Sequence, residues 1–211
     1  MPRSPSFAGV ILAAGQSSRM GRDKALLPWP PLVDAQTSHE TFLSSAIRSL
    51  SLATDFMVVV ASKNEAALAP VVYASGAAVV VNPDPDRGQF SSLQVGLHEV
   101  LNRGRDTAII TLVDRPPVRA ATVEVLRAAF LSAPSDIWAV VPEFAGKHGH
   151  PYIAGRELIE AFLQAPATAS ARDVEREHQE RIQYVAVDDP FVALNVNTPE
   201  EYAALCSRHS T

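Results

Sequence analysis

The feature that most constrains this chain is an alternation of short apolar runs with segments of helical spacing. Six apolar, β-branched runs are bounded by turn-forming residues: Phe7–Ala13, Phe56–Ala61, Ala77–Val81, Thr107–Val113, Ile137–Val141 and Ile182–Val187. Continuous apolar strands that alternate with helices are typical of a parallel sheet covered on both faces. The pattern therefore predicts an α/β, Rossmann-like, doubly wound and mostly parallel sheet.

Helical spacing appears between most of these runs and again near the C-terminus. The predicted helices are Thr41–Leu50, Asn64–Ser75, Ser91–Asn102, Ala120–Leu131, Arg156–Leu163 and Thr198–Cys206. Pro28–Glu40 and Pro166–Ser170 are expected to be surface loops. Ligands of such sheets bind beyond the C-terminal ends of the strands. The loops that begin at Ala14, Ser62, Asn82, Asp114 and Asp188 are therefore the first places to look for chemistry.

Composition narrows the class of protein. The 211 residues, 47% of them hydrophobic, predict one domain over residues 1–211. A net charge of −5 disfavours nucleic acid as a partner. Cys206 is the single cysteine, which excludes an internal disulfide and fits a reducing compartment. The apolar run Phe7–Ala14 is too short for a signal peptide or a membrane span, so we expect a soluble cytoplasmic protein without a membrane partner.

The first predicted strand leads into a loop with two glycines and several basic residues. Gly15 and Gly21 allow close backbone approach, and consecutive N–H groups there can form an anion-binding nest. Arg19, Arg22 and Lys24 add the positive charge that a triphosphate requires. A tight surface turn with solvated charges is the alternative. Neither the Walker A spacing nor the Gly-x-Gly-x-x-Gly pattern is present, which disfavours a P-loop ATPase and a Rossmann dehydrogenase.

Three later segments carry further candidate ligands. Asp114 ends an apolar strand, where one carboxylate suits Mg²⁺ held between protein and phosphates, although it could equally cap a turn. Asn195 and Asn197 precede the last helix and are either turn formers or metal-shell ligands. Another strand is followed by Asn82, Ser91 and Ser92. One of the two serines is expected to cap the next helix. The functional alternative is that these residues contact the base or sugar of a nucleotide.

Two histidines, His148 and His150, lie two residues apart in the segment Lys147–Pro151. This spacing can suggest zinc, but the sequence offers no third ligand nearby, and catalytic zinc uses about three. We expect instead that this segment precedes a short strand and faces a second, acceptor substrate.

Taken together, these motifs resemble the molybdenum cofactor nucleotidyltransferases, within the wider class of MobA-like NTP transferases. Residues 10–28, Val-Ile-Leu-Ala-Ala-Gly-Gln-Ser-Ser-Arg-Met-Gly-Arg-Asp-Lys-Ala-Leu-Leu-Pro, are similar to the N-terminal signature of that family. The segments 88–97, 114–116, 149–151 and 195–201 are similar to its later motifs, so the resemblance covers almost the whole chain.

The resemblance implies a nucleotidyltransferase with a nucleotide-diphospho-sugar transferase-like fold and a role for each motif residue. The implied catalytic residues are Arg19, Lys24 and Asp114. The implied nucleotide-binding residues are Leu12, Ala13, Ala14, Gly15, Ser18, Gly21, Asn82, Ser91 and Ser92. Asp114 and Asn197 are implied to hold Mg²⁺, with Mn²⁺ as an alternative. The implied substrates are CTP or GTP and a phosphate-bearing acceptor such as molybdopterin, with a molybdoenzyme as a further partner.

The base and the acceptor remain open at the level of sequence. Ala14 resembles the CTP-using members, whereas Asn195 and Asn197 resemble the ending of the GTP-using members. Val113 replaces the glycine that the family usually carries before its aspartate. The alternatives are a cytidylyltransferase acting on a sugar phosphate or methylerythritol phosphate, a nucleotide-binding module without activity, and an α/β scaffold without a nucleotide site.

Overall fold

A computed structural model describes residues 5–15, 20–29 and 40–209 of the chain. The strands are β1 (Phe7–Leu12), β2 (Phe56–Ala61), β3 (Ala78–Val81), β4 (Thr107–Leu112), β5 (Ala139–Phe144), β6 (Lys147–His148), β7 (Tyr152–Gly155) and β8 (Ile182–Ala186). The helices are α1 (Phe42–Ser51), α2 (Glu65–Ala74), α3 (Gln89–Asn102), α4 (Ala120–Ser132), α5 (Arg156–Gln164), α6 (Ala171–Glu177) and α7 (Pro199–His209).

The strands form one mixed sheet in the order β3-β2-β1-β4-β7-β5-β6, and β8 pairs with β5. The neighbours β3, β2, β1 and β4 run parallel, as do β5 and β8. Strand β7 lies between β4 and β5 and is antiparallel to both. The mostly parallel α/β sheet is therefore confirmed, with one reversed strand in its middle.

Each predicted apolar run is a strand, and each predicted helix is present with end shifts of a few residues. The expected short strand after Pro151 is β7. Strand β6 and helix α6 were not predicted, because β6 has only two residues and α6 is polar apart from the buried Val174. The expected loop over 166–170 is confirmed, whereas most of Pro28–Glu40 lies outside the described residues.

Helices cover both faces of the sheet. One apolar core joins the sheet to α1, α2 and α4, and a second joins its other face to α3, α5 and α6. Gly96 lets α3 approach the sheet closely, because a Cβ atom there would lie 2.7 Å from Val10 Cγ1 and 2.9 Å from Val60 Cγ2. The helix that follows the 82–88 segment is thereby fixed against the central strands.

A third apolar cluster fixes the segment after the first loop against the C-terminal helix. It comprises Met20, Leu27, Trp29, Phe42, Val196 and Leu205. The Tyr202 hydroxyl donates a hydrogen bond of 2.8 Å to the Pro28 carbonyl oxygen. Thr198 and Glu201 exchange hydrogen bonds at the start of α7 and so form a capping box. Residues near both ends of the chain are thus packed together.

Among the described helices, none combines the length and apolar character that crossing a bilayer requires.

Candidate active site

A cleft of about 350 Å³ opens beyond the C-terminal ends of β1 and β4. Its walls include Leu12, Ala14, Gly15, Lys24, Ser92 and Asp114. These residues come from segments far apart in the chain, and the parallel pairing of β1 with β4 places the ends of both strands at one edge. Four of the nine positions expected to bind a nucleotide, and the catalytic candidates Lys24 and Asp114, therefore border one cavity, at the edge of the sheet where α/β proteins bind ligands.

The loop after β1 is held by Asn64 and Ser62, which follow β2. The Asn64 side-chain amide donates to the Ala13 carbonyl at 2.9 Å and to the Asp23 carboxylate at 2.7 Å. The Ser62 hydroxyl donates to the Ala14 carbonyl at 2.8 Å. Both ends of the glycine-containing loop are thereby tied to β2. The sequence reasoning missed Asn64, although its position directly after a buried strand was a usable signal.

Lys24 contacts both Asn197 and Asp114, and of these three residues Lys24 and Asp114 line the cleft. The Lys24 ammonium donates to Asn197 Oδ1 at 2.9 Å and lies 3.8 Å from Asp114 Oδ2. Only 10% of the Lys24 side chain is exposed, and Lys24 is one of the residues that line the cleft. The Val196 amide donates to the Asp114 carbonyl at 2.8 Å, which fixes the segment before α7 beside the end of β4.

Asp114 and Asn197 fit a divalent cation by their donor chemistry. Asp114 Oδ1 is shielded from solvent and has no hydrogen-bond partner among the described residues. Asn197 Oδ1 accepts from Lys24 and keeps a second lone pair. One carboxylate and one amide oxygen beside phosphate oxygens are the ligands that Mg²⁺ commonly takes. In the described part of the chain, no group of three or more His, Cys, Asp or Glu side chains could hold a metal.

Asn82, Ser91 and Ser92 form one buried hydrogen-bonded group at the side of the cleft. The Asn82 side-chain amide donates to the Ser91 and Ser92 hydroxyls at 2.8 and 2.9 Å. The expectation that a serine caps the helix was wrong. Helix α3 begins at Gln89, directly after Gly88, which has a φ of 90°. The start of the helix therefore precedes both serines. Ser91 therefore lies within the first turn, and its hydroxyl donates to the Gly88 carbonyl.

A second cleft, of about 450 Å³, adjoins the first. It is lined by Arg115, His150, Tyr152 and Glu175, among others. Burial, and then the charge of Arg115, lowers the pKa of His150 to about 3, so its imidazole is neutral at pH 7. Burial raises the pKa of Glu175 and lowers the pKa of Arg115. His148 is not among the lining of this cleft, and it stacks on Tyr184 with ring centroids 3.8 Å apart.

Comparison with known proteins identifies the family. The sequence profile of the MobA-like NTP transferase domain matches residues 9–182. The chain belongs to this family. The purine catabolism protein PucB of Bacillus subtilis is 31% identical over 95% of this chain and 96% of its own. A probable molybdenum cofactor guanylyltransferase of Rhodopirellula baltica is 28% identical (93% and 90%), and the molybdenum cofactor cytidylyltransferase of Escherichia coli is 23% identical (95% and 96%).

Solved structures agree with this MobA-like domain in fold. A crystal structure from Mycobacterium tuberculosis superposes with a TM-score of 0.78 at 25% identity, covering 96% of this chain and 98% of the other. A manganese complex from the same organism gives a TM-score of 0.73 at 24% identity, with the same two coverages.

The structure brings most of the expected site residues of this NTP transferase domain together and leaves others apart. Lys24 contacts both Asp114 and Asn197, whereas Asn195 is exposed, and neither asparagine is among the lining of the first cleft. Arg19 and Ser18 lie outside the described residues. Arg115, Tyr152 and Glu175 were missed by the sequence reasoning, because nothing in their spacing indicates that β4, β7 and α6 share a cavity.

Proposed function

We propose that this protein is a Mg²⁺-dependent nucleotidyltransferase that moves a nucleoside monophosphate from CTP, in preference to GTP, to a phosphate-bearing acceptor. Molybdopterin is the first acceptor to test, since curated relatives of the family are named for the molybdenum cofactor. The observation that carries the proposal is that Gly15, Lys24 and Asp114 line one cleft, in which Lys24 contacts Asp114 and also hydrogen-bonds Asn197.

The reaction is a displacement at phosphorus. A phosphate oxygen of the acceptor attacks the α-phosphorus and forms a new P–O bond. The bond from that phosphorus to the bridging oxygen breaks, and its electron pair leaves with pyrophosphate. The attacking phosphate is already ionised at pH 7, so no general base has to remove a proton.

Each residue then has a defined task. The Gly15 backbone, with Arg19 and Ser18 as expected from the sequence, binds the triphosphate, and Asn64 holds this loop in place. Lys24 stabilises negative charge that develops on the leaving pyrophosphate. Asp114 and Asn197 would hold Mg²⁺, which when bound neutralises and orients the phosphates. Ser92 would contact the base or ribose, and Asn82 with Ser91 keeps that wall in position.

Ala14 supports the preference for CTP. This residue lines the nucleotide cleft, and its carbonyl is fixed by Ser62, so its methyl group occupies a set position on the wall. A methyl group there leaves less room for a purine than a glycine would. An Ala14→Gly substitution is expected to raise the relative affinity for GTP.

The test is thermal stability against CTP, GTP, ATP and UTP, each with and without Mg²⁺, followed by pyrophosphate release with molybdopterin. We expect CTP with Mg²⁺ to raise the melting temperature more than the other nucleotides do. We also expect pyrophosphate release only when the acceptor is present. A larger shift with GTP would overturn the base preference. Turnover with methylerythritol phosphate or a sugar phosphate in place of molybdopterin would reassign the acceptor. Binding of nucleotide without pyrophosphate release from any acceptor would indicate an inactive module.

A further inference from the structure

The second cleft is continuous with the nucleotide cleft. The two share Leu12, Leu112, Gly88 and Gln89 as lining residues. Asp114 borders the first cleft and the next residue, Arg115, borders the second. A molecule in the second cleft would therefore lie directly beside a ligand bound next to Asp114 in the first cleft.

Two polar atoms of this cleft are buried without a partner. Arg115 Nε and His150 Nδ1 are each shielded from solvent and have no hydrogen-bond partner among the described residues. The Val192 carbonyl holds both residues: the Arg115 guanidinium donates to it at 2.9 Å, and the His150 backbone N–H donates to it at 2.9 Å. Buried polar groups in proteins are normally hydrogen-bonded, so a small rotation of either side chain toward the cleft would give its orphaned atom a ligand partner.

We infer that the second cleft binds the acceptor, with Arg115 holding its phosphate and His150 hydrogen-bonding an uncharged, flat heterocycle. This inference rests on the proposed function and adds the location and chemistry of the acceptor site. The motif roles given above do not include Arg115, which lies between Asp114 and Pro116.

The charges of the cleft favour an anionic ligand. Arg115, Arg87 and Arg172 line it, and Glu175 is the one carboxylate among its lining residues. A guanidinium binds phosphate through two parallel hydrogen bonds and also stacks on flat rings. Arg115 can therefore hold a phosphate next to the nucleotide cleft, where the nucleophilic oxygen has to be.

The remaining walls favour a flat ring system over a flexible polar chain. Phe90, Leu93, Ile110 and Tyr152 provide apolar and aromatic surface. His150 meets the Tyr152 ring edge to face, with centroids 5.3 Å apart, and a neutral imidazole offers one donor and one acceptor. Apolar walls with a few fixed polar groups are the usual form of a small-molecule site.

Neopterin monophosphate is a fluorescent, phosphate-bearing flat heterocycle, and its fluorescence anisotropy reports binding directly. The full-length protein would be titrated with this molecule and with unphosphorylated neopterin, in the presence of CTP and Mg²⁺. The variants are Arg115→Met and His150→Asn. The matched control is Arg176→Gln, since Arg176 is an exposed arginine of α6 that pairs with Asp173 and is not among the cleft lining.

We expect the phosphorylated molecule to bind at least about tenfold more tightly than neopterin, and Arg115→Met to abolish most of that difference. His150→Asn should weaken both molecules, and Arg176→Gln should weaken neither. Equal affinities in wild type and both cleft variants, or no binding to the nucleotide-loaded wild type, would overturn the inference. The increase in melting temperature caused by nucleotide is measured for each variant. If a folded protein shows no such increase, the proposed function fails, and that result is distinct from failure of the acceptor-site inference.

Discussion

The Lys24 ammonium lies 2.9 Å from Asn197 Oδ1, which joins two residues that are 173 positions apart. The contact brings the N-terminal loop and the segment before α7 together at Asp114. A lysine so little exposed is placed to act on a ligand in the cleft.

Replacing Lys24 by alanine should lower kcat/KM for nucleotidyl transfer by about 100-fold or more, since it removes a cation aimed at developing phosphate charge. Pyrophosphate release measures the effect. Lys63 is exposed and absent from the cleft lining, so Lys63→Ala is the matched control and should retain its rate. Normal turnover in Lys24→Ala would remove this residue from the mechanism.

The metal site can be tested by exchanging amide and carboxylate. Asn197→Asp adds a negative charge beside Asp114 and should lower the Mg²⁺ concentration for half-maximal activity. Asp114→Asn removes the one carboxylate and should raise that concentration by about tenfold or more. Activity titrated against Mg²⁺ measures both. Unchanged metal dependence in the two variants would place the cation elsewhere.

A substitution at Gly15 should weaken nucleotide binding without lowering the stability of the free protein. A Cβ atom at this position would meet no described atom within 4 Å, so Gly15→Ala should keep the melting temperature of the free protein. The same methyl group would obstruct close approach of the loop backbone to a triphosphate. The nucleotide-induced shift should therefore fall strongly. A full shift in this variant would show that the backbone at Gly15 does not contact the nucleotide.

Replacing Asn64 should lower the unfolding free energy and also weaken nucleotide binding. Asn64→Ala leaves the Ala13 carbonyl and Asp23 without their amide donor and should cost about 1–3 kcal/mol of unfolding free energy. Denaturant unfolding and the KM for nucleotide are the measurements. Asn102 is exposed at the end of α3, so Asn102→Ala is the control, with a change within about 0.5 kcal/mol. Equal KM values in both variants would contradict a role for Asn64 in holding the loop.

The depressed pKa of His150 predicts a stability that depends on pH. The folded pKa is about 3 and the ordinary value is 6.5, so the unfolded chain binds more protons between these limits. The contribution of a neutral His150 is fully present above pH 6.5 and is lost as the pH falls toward 3. Wild type should therefore lose more unfolding free energy than His150→Asn between pH 7 and pH 5. Parallel curves for the two proteins would argue against a buried neutral imidazole.

The sequence by itself determined the class of fold and the position of nearly every strand and helix, and it predicted Lys24, Asp114 and Asn197 as site residues. It could do so because hydrophobic periodicity is local, and because the motifs that contain these residues are short continuous strings. The reversed strand β7, the hold of Asn64 on the loop and the sharing of one cavity by Arg115 and His150 were decided only by the tertiary structure. Each of these depends on which distant segments become neighbours, and strand order and direction are fixed by packing of the whole sheet rather than by the spacing of residues along the chain.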